Sequence, residues 1–221
     1  MPIRAVFFDI DGTLVDSNDY HVSAWKEAFA SEGFHFDRAA IHSQIGKGGD
    51  MLIPSLLPDA DEALRTRLQQ MHGEIFKGQF LERVKPFPQA RELLARTGEA
   101  GKRVLLASSA HEGELEHYQD LLDARELVAA STSADDVEHT KPAPDIFAAA
   151  LKKVAPLGPD EVIVVGDTPY DIEAASQCGI AAIGLLSGGF PEEALRKSGA
   201  IAVYEDVAAL LGDFGGSPLG R

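Results

Sequence analysis

Asp9-Ile10-Asp11-Gly12-Thr13 sets two carboxylates one residue apart, directly after an apolar run at residues 3–8. Alternate residues of an extended chain share a face, so both carboxylates can address the same bound group. Three further polar stretches recur in comparable settings. Ser108-Ser109 follows the apolar stretch Arg103–Ala107, and Gly166-Asp167-Thr168-Pro169-Tyr170-Asp171 follows Glu161–Val165. Thr140-Lys141-Pro142 stands ahead of a helical pattern at Pro144. If the apolar stretches are strands of one sheet, these groups meet beyond its carboxyl edge, where open α/β sheets bind ligands.

Carboxylates gathered in this way repel one another, and a hard cation resolves the conflict. Mg2+ takes oxygen ligands and binds through one or two carboxylates together with phosphate and water. Asp9 and Asp167 are the natural direct ligands. Asp171, one helical turn beyond Asp167, could hold a metal-bound water or orient Lys141; it could equally be a first-turn acid near a helix N-terminus. A phosphate brought against Asp9 meets a repulsion of about 4 kcal/mol per charge pair at ~4 Å and an effective dielectric near 20. Magnesium and Lys141 can offset it. Ser108 and the amides near Ile10, Gly12 and Ser109 can hold phosphate oxygens, and Gly12 lets the backbone come close. Asp9 can attack phosphorus while Asp11 protonates the departing oxygen and later activates water, help worth roughly 10²–10⁴-fold.

The elements that must position these groups alternate. Apolar runs at residues 3–8, Arg103–Ala107, Leu127–Ala130, Glu161–Val165, Ile180–Leu186 and Ala200–Tyr204 read as buried strands. Helical patterns at Pro88–Thr97, Glu112–Leu122, Pro144–Val154, Pro169–Cys178, Pro191–Ser198 and Asp206–Leu211 separate them. Such alternation predicts an α/β fold with a parallel sheet. From about Asp16 to Lys85 only helical signals occur, at Tyr20–Phe29, Leu52–Leu57 and Glu62–Phe80. This predicts a helical insertion at 16–85, flanked by a core of 1–15 and 86–221. Val84-Lys85-Pro86-Phe87-Pro88 favours extended chain at the return, and the tail Asp213–Arg221 is expected to be flexible.

At 221 residues the chain can bury a sizeable core. Lys and Arg number 20 against 35 Asp and Glu, a net charge of −15, which disfavours nucleic acid and anionic membranes as partners. An anionic substrate would also be repelled, so its site must supply local positive charge. No run of about 18 apolar residues predicts a membrane span, and the first residues do not read as a signal peptide. Cys178 is alone, which suits a reducing cytoplasm, and a monomer is compatible with the pattern.

Taken in order, Asp9–Ser17, Leu105–Ser108, Lys141-Pro142-Ala143-Pro144-Asp145 and Gly166–Asp171 resemble the haloacid dehalogenase superfamily, in its capped branch. The resemblance spans nearly the whole chain. It implies a Rossmann-like core with an α-helical cap inserted between the first two motifs. It implies Asp9 as nucleophile, Asp11 as general acid/base, Ser108 and Lys141 as phosphate ligands, and Asp167 binding Mg2+ with Asp9 and the Asp11 carbonyl, supported by Asp171. True dehalogenases and the phosphonate-cleaving branch lack the second aspartate, so Asp11 favours phosphate esters. Asp16–His21 through Trp25 is similar to phosphoglycolate phosphatases, small sugar phosphatases and β-phosphoglucomutase. The expectation is a phosphatase of a small phosphorylated metabolite. A sugar phosphomutase and a non-catalytic binding protein on the same fold are the alternatives.

Each remaining residue carries two readings. His21 could touch the leaving group or help the insertion close, or be structural. Lys47, in Gly46-Lys47-Gly48-Gly49-Asp50, could meet a second anionic group of the substrate or be exposed on a linking loop. That loop is no nucleotide P-loop, since no hydroxyl follows its Gly-Lys pair. Trp25 reads as core of the insertion, and Arg83 and Lys85 as surface. His35, His42, His72, His111, His117 and His139 show no metal-ligand spacing and read as surface or structural.

Overall fold

The computed structural model describes residues 2–220. Its centre is a six-stranded sheet: β1 (Ala5–Phe8), β4 (Arg103–Ala107), β5 (Ala130–Thr132), β6 (Val162–Gly166), β7 (Ala181–Leu185) and β8 (Ala202–Tyr204). The order is β5-β4-β1-β6-β7-β8, and every pairing is parallel. β1 and β6 are buried along their whole length, as a strand covered on both faces requires. Val6 and Phe8 point to one face and Ala5 and Phe7 to the other, so one short strand feeds two cores.

On the first face pack α5 (Ala90–Glu99), α6 (Glu112–Leu121) and α10 (Val207–Gly212), through Leu93, Leu115, Tyr118 and Leu210. On the second pack α7 (Asp145–Lys153), α8 (Pro169–Gln177) and α9 (Glu192–Lys197), through Phe147, Ile172 and Leu195. The chain therefore forms the Rossmann-like α/β architecture expected of it.

Between β1 and α5 the chain leaves the sheet. β2 (Val15–Asp16) and β3 (Lys85–Pro86) pair antiparallel as a two-residue ribbon. Beyond it stand α1 (Asn18–Ser31), α2 (Arg38–His42), α3 (Gly49–Leu56) and α4 (Glu62–Ile75), the last prolonged by a π-helical turn at Phe76–Phe80. Their apolar stripes close on a third core around Val22, Trp25, Phe29, Leu52, Ile53 and Leu68. Extended chain was expected at Lys85–Pro86, but β2 and α2 are too short to show a period.

Two expectations are corrected. The strand expected at Leu127–Ala130 lies at Ala130–Thr132. Leu127 and Val128 instead donate to the Ala124 carbonyl in a helical turn and pack against the first core, so the ladder opposite Leu105 begins only at Ala130. The tail is ordered as far as described: Phe214 and Leu219 are buried, and the guanidinium of Arg96 lies 5.0 Å from the Phe214 ring centre. Two apolar anchors within six residues outweigh the Gly-rich composition around them.

Candidate active site

The register carries the site. Phe8 is level with Leu106 on one side and Val165 on the other. Asp9, Ser108 and Asp167 therefore leave three adjacent strands at nearly the same height. β1 and β6 flank the point where strand order reverses, the crevice in which such sheets bind ligands.

Asp9 is buried, and one of its carboxylate oxygens accepts from the ammonium of Lys141. Lys141 is fully buried; it also donates to the Ala107 carbonyl at 2.8 Å and pairs with Asp171 Oδ1 at 2.7 Å. Two hydrogen bonds and an ion pair thus hold the ammonium. Burial opposes the charge on Lys141, but Asp171 and Asp9 outweigh it and hold the amine above its ordinary value. Asp171 is fixed by a reciprocal cap at the start of α8. Its Oδ2 accepts from the Thr168 amide at 3.0 Å and hydroxyl at 2.7 Å, while its own amide donates to Thr168 Oγ1. Helix cap and lysine support are the same residue.

Asp167 is wholly buried. Thr13 Oγ1 donates to its Oδ1 at 2.7 Å and Asn18 Nδ2 to its Oδ2 at 3.0 Å. Two glycines close in on this carboxylate. Gly12 has φ +76°, and a Cβ there would lie 2.3 Å from Asp167 Oδ2; at Gly188 the distance would be 2.0 Å. Burial, then the charge of Asp171, pushes Asp167 up to about 7 despite Thr13 and Asn18. Burial likewise raises Asp9 well above its ordinary value, in spite of Lys141.

This donor set fits a hard divalent cation. Asp9, Asp167 and Asp171 each offer an oxygen within 4.8 Å of the others, and among the described residues Lys141 is the one cation paired with them. Asn18 Oδ1 is buried with no hydrogen-bond partner among the described residues. Asp171 is already committed to Lys141 and Thr168, which leaves Asp9 and Asp167 as the carboxylates free to ligate. The Asp11 side chain turns elsewhere, so its contribution to a metal would be its carbonyl.

Asp11 Oδ1 accepts from Ser17 Oγ at 2.6 Å and lies 3.1 Å from His21 Nε2. Burial alone would raise the Asp11 carboxyl; His21 and Ser17 more than offset it and hold it below its ordinary value. Burial alone would lower His21, yet Asp11 raises it. His21 Nδ1 is 3.3 Å from His72 Nε2, and His72 stacks on Trp25 with ring centres 4.1 Å apart. Burial, reinforced by His21, holds His72 far below its ordinary value. The contacts thus favour the proton on His21 over Asp11 or His72. His72 belongs to the site and not to the surface; its polar ring on the apolar stripe of Leu64, Leu68 and Ile75 was the available signal.

Ser108 is buried, and its Oγ accepts from the Ala110 amide at 3.0 Å, leaving its proton for a ligand. Ser109 Oγ donates to the Gly46 carbonyl at 3.2 Å, a bond between core and insertion. Further bonds cross the same gap. Gly48 N donates to Thr140 Oγ1 at 2.9 Å, His42 Nε2 lies 3.0 Å from the Gly188 carbonyl, and the Tyr170 hydroxyl donates to the Ser43 carbonyl. Lys47 stands on this rim, its ammonium bonded to Gln44 Oε1 and Ser55 Oγ and 4.4 Å from the Tyr170 ring centre. Arg83 and Lys85 are exposed. Between insertion and core lies a cavity of about 160 Å³ reaching Asp9, Asp11, His21, Ser108 and Lys47.

A haloacid dehalogenase-like hydrolase family model matches residues 3–179. The phosphoglycolate phosphatase of Rhodospirillum rubrum is 28% identical over 97% of this chain and 92% of its own length. That of Yersinia pestis is 30% identical over 95% and 92%. Among solved structures, a hydrolase from Pseudomonas syringae superposes with a TM-score of 0.91 at 32% identity, covering 97% of this chain and 99% of that one. CbbY from Rhodobacter sphaeroides in complex with phosphate gives 0.76 at 25%, covering 94% and 96%. The chain belongs to the haloacid dehalogenase-like hydrolase family. It is a hydrolytic enzyme whose curated relatives are phosphatases.

Proposed function

We propose that the protein hydrolyses the phosphate monoester of a small metabolite through a phospho-aspartate on Asp9, with Mg2+ as cofactor. The observation that carries this reading is the meeting of Asp9, Ser108, Lys141 and Asp167 at one strand-end crevice, with Asp11 and His21 beside them. The relatives named as phosphoglycolate phosphatases and the phosphate-bound neighbour support the same chemistry.

The Asp9 oxygen not held by Lys141 attacks phosphorus, and the bond from phosphorus to the leaving oxygen breaks. Ser108 Oγ and the neighbouring amides receive the phosphate oxygens. The leaving oxygen takes its proton from Asp11, which draws it from His21 through the 3.1 Å contact. Water then attacks phosphorus of the phospho-aspartate; Asp11 accepts its proton and returns it to His21, the acyl phosphate bond opens and Asp9 is restored. Mg2+ held by Asp9, Asp167 and the Asp11 carbonyl would supply charge neutralisation for the phosphate. The insertion acts as a cap whose rim bonds close over the reaction and exclude bulk water.

Phosphate release from sugar phosphates, phosphoglycolate and nucleotides, with and without Mg2+ and beside Asp9→Asn, tests the proposal. Magnesium-dependent release that the variant loses is the expected result. Isomer formation without release would mark a phosphomutase, and no turnover of any kind would leave a binding protein.

A further inference from the structure

Glu114 has no place in the chemistry above. It stands in the first turn of α6, on the core side, and faces the cavity between core and cap. The residue is only 5% exposed. Its carboxylate nonetheless makes no hydrogen bond, and no ion pair within 4 Å, among the described residues. A carboxylate so buried and without donors is costly, and buried polar groups are almost always met by a partner. A group entering the cavity can reach it.

The rest of the lining says what that partner is. A substrate bearing a second acidic group would need a cation opposite it. Lys47 is bonded to Gln44 and Ser55. His21 is paired with Asp11, and His111 Nδ1 lies 2.8 Å from Asp135 Oδ1. His72 is hydrogen-bonded to His21 and stacked on Trp25. The three histidines facing the cavity are engaged, and Lys47 is held on the rim by two neutral groups over the Tyr170 ring, whereas Glu114 is an acceptor without a donor. A second carboxylate brought here would meet like charge across a desolvated gap. Hydroxyl groups, by contrast, would donate to Glu114, and Trp25 and Ile45 add apolar atoms to the lining. The volume leaves room for a phosphate and a short hydroxylated chain.

We propose that Glu114 is the specificity-determining residue of this site, accepting hydrogen bonds from the leaving group's hydroxyls. The substrate is then the phosphate ester of a short, uncharged polyol or sugar and not of a hydroxy acid. The inference rests on the reading of the cavity as a phosphate-ester site, whether phosphate passes to water or back to a sugar.

Calorimetric binding to Asp9→Asn in the presence of Mg2+ separates the questions. Glycerol 3-phosphate and glucose 6-phosphate are expected to bind at least about tenfold more tightly than 2-phosphoglycolate. Adding Glu114→Gln should bring that ratio within about threefold, and adding Glu114→Asp should leave phosphoglycolate disfavoured. The ratio is read within each protein, so partial misfolding cancels. Phosphoglycolate binding as tightly as the polyol phosphates would overturn the proposal, as would a ratio that Glu114→Gln leaves unmoved. Discrimination without any phosphate release by the unsubstituted enzyme would uphold Glu114 and overturn the phosphatase reading alone. No binding of any phosphate ester would overturn both.

Discussion

Asp50, in the cap, accepts a hydrogen bond from the backbone amide of Thr140 at 3.0 Å, and its other oxygen takes the Thr140 hydroxyl. Thr140 immediately precedes Lys141, so the cap grips the chain next to the lysine that holds Asp9. Asp50→Ala removes both acceptors. The expected outcome is a KM raised about tenfold with kcat little changed, since the bonds lost belong to closure and not to the reacting atoms. Steady-state kinetics decide it: a kcat that collapses at constant KM would place Asp50 in the chemistry.

The His21–Asp11 contact yields a prediction that depends on the leaving group. Alkyl phosphates need a proton on the departing oxygen; p-nitrophenyl phosphate, whose phenolate leaves unaided, does not. His21→Gln and Asp11→Asn should each lower kcat for alkyl esters by roughly 10²-fold or more, and much less for p-nitrophenyl phosphate. Equal losses on the two substrate types would show that the pair positions the substrate and does not move a proton.

Gly188 has no side chain to offer, yet a methyl there would stand 2.0 Å from Asp167 Oδ2. Gly188→Ala must displace that carboxylate. The Mg2+ concentration for half-maximal activity should rise at least about tenfold, a loss of the order seen when groups around a metal ligand are altered. Prior stripping with a chelator should abolish turnover of the parent protein, and Mg2+ should restore it. An unchanged Mg2+ requirement in the variant would remove Asp167 from the ligand set.

How much of this was legible in the amino-acid order depends on the range of the interactions. Asp9, Ser108 and Asp167 each follow an apolar run, so a local pattern sufficed to bring them to one edge. Lys141 and Asp171 were legible as members of that edge. A link between them was among the readings; its geometry, and the reciprocal cap that aims Asp171, are properties of the folded loops. Asn18 and Gly188 meet only at Asp167, at 149 and 21 residues' separation, and Gly188 carries no functional group to notice. Glu114 and His72 were hidden differently. Each interrupts an apolar helix stripe, ahead of Tyr118 and Leu122 in one case and after Leu68 in the other. Such interruptions become meaningful once two helices from different layers are known to face one cavity.

The tail gives a stability test free of the chemistry. Leu219 is fully buried in the first core. Leu219→Ala should cost about 2–5 kcal/mol, read as a lower denaturant midpoint at an unchanged slope. A cost near zero would return the tail to the flexible segment its composition suggests.

The ribbon of Val15–Asp16 with Lys85–Pro86 has an implication for how such enzymes can be altered. The chain departs and returns through two hydrogen-bonded neighbours, so the ends of the insertion are held together before any cap residue is placed. Closing a longer or shorter segment between joined ends changes the loop entropy only slowly with length. The cap is therefore a replaceable cassette. A graft that keeps these four residues, together with Ser17, Asn18 and His21 where the insertion meets Asp11 and Asp167, could bring in a foreign lid without disturbing the sheet. Glu114, which stays behind in the core, would then show which part of substrate choice the cassette does not carry.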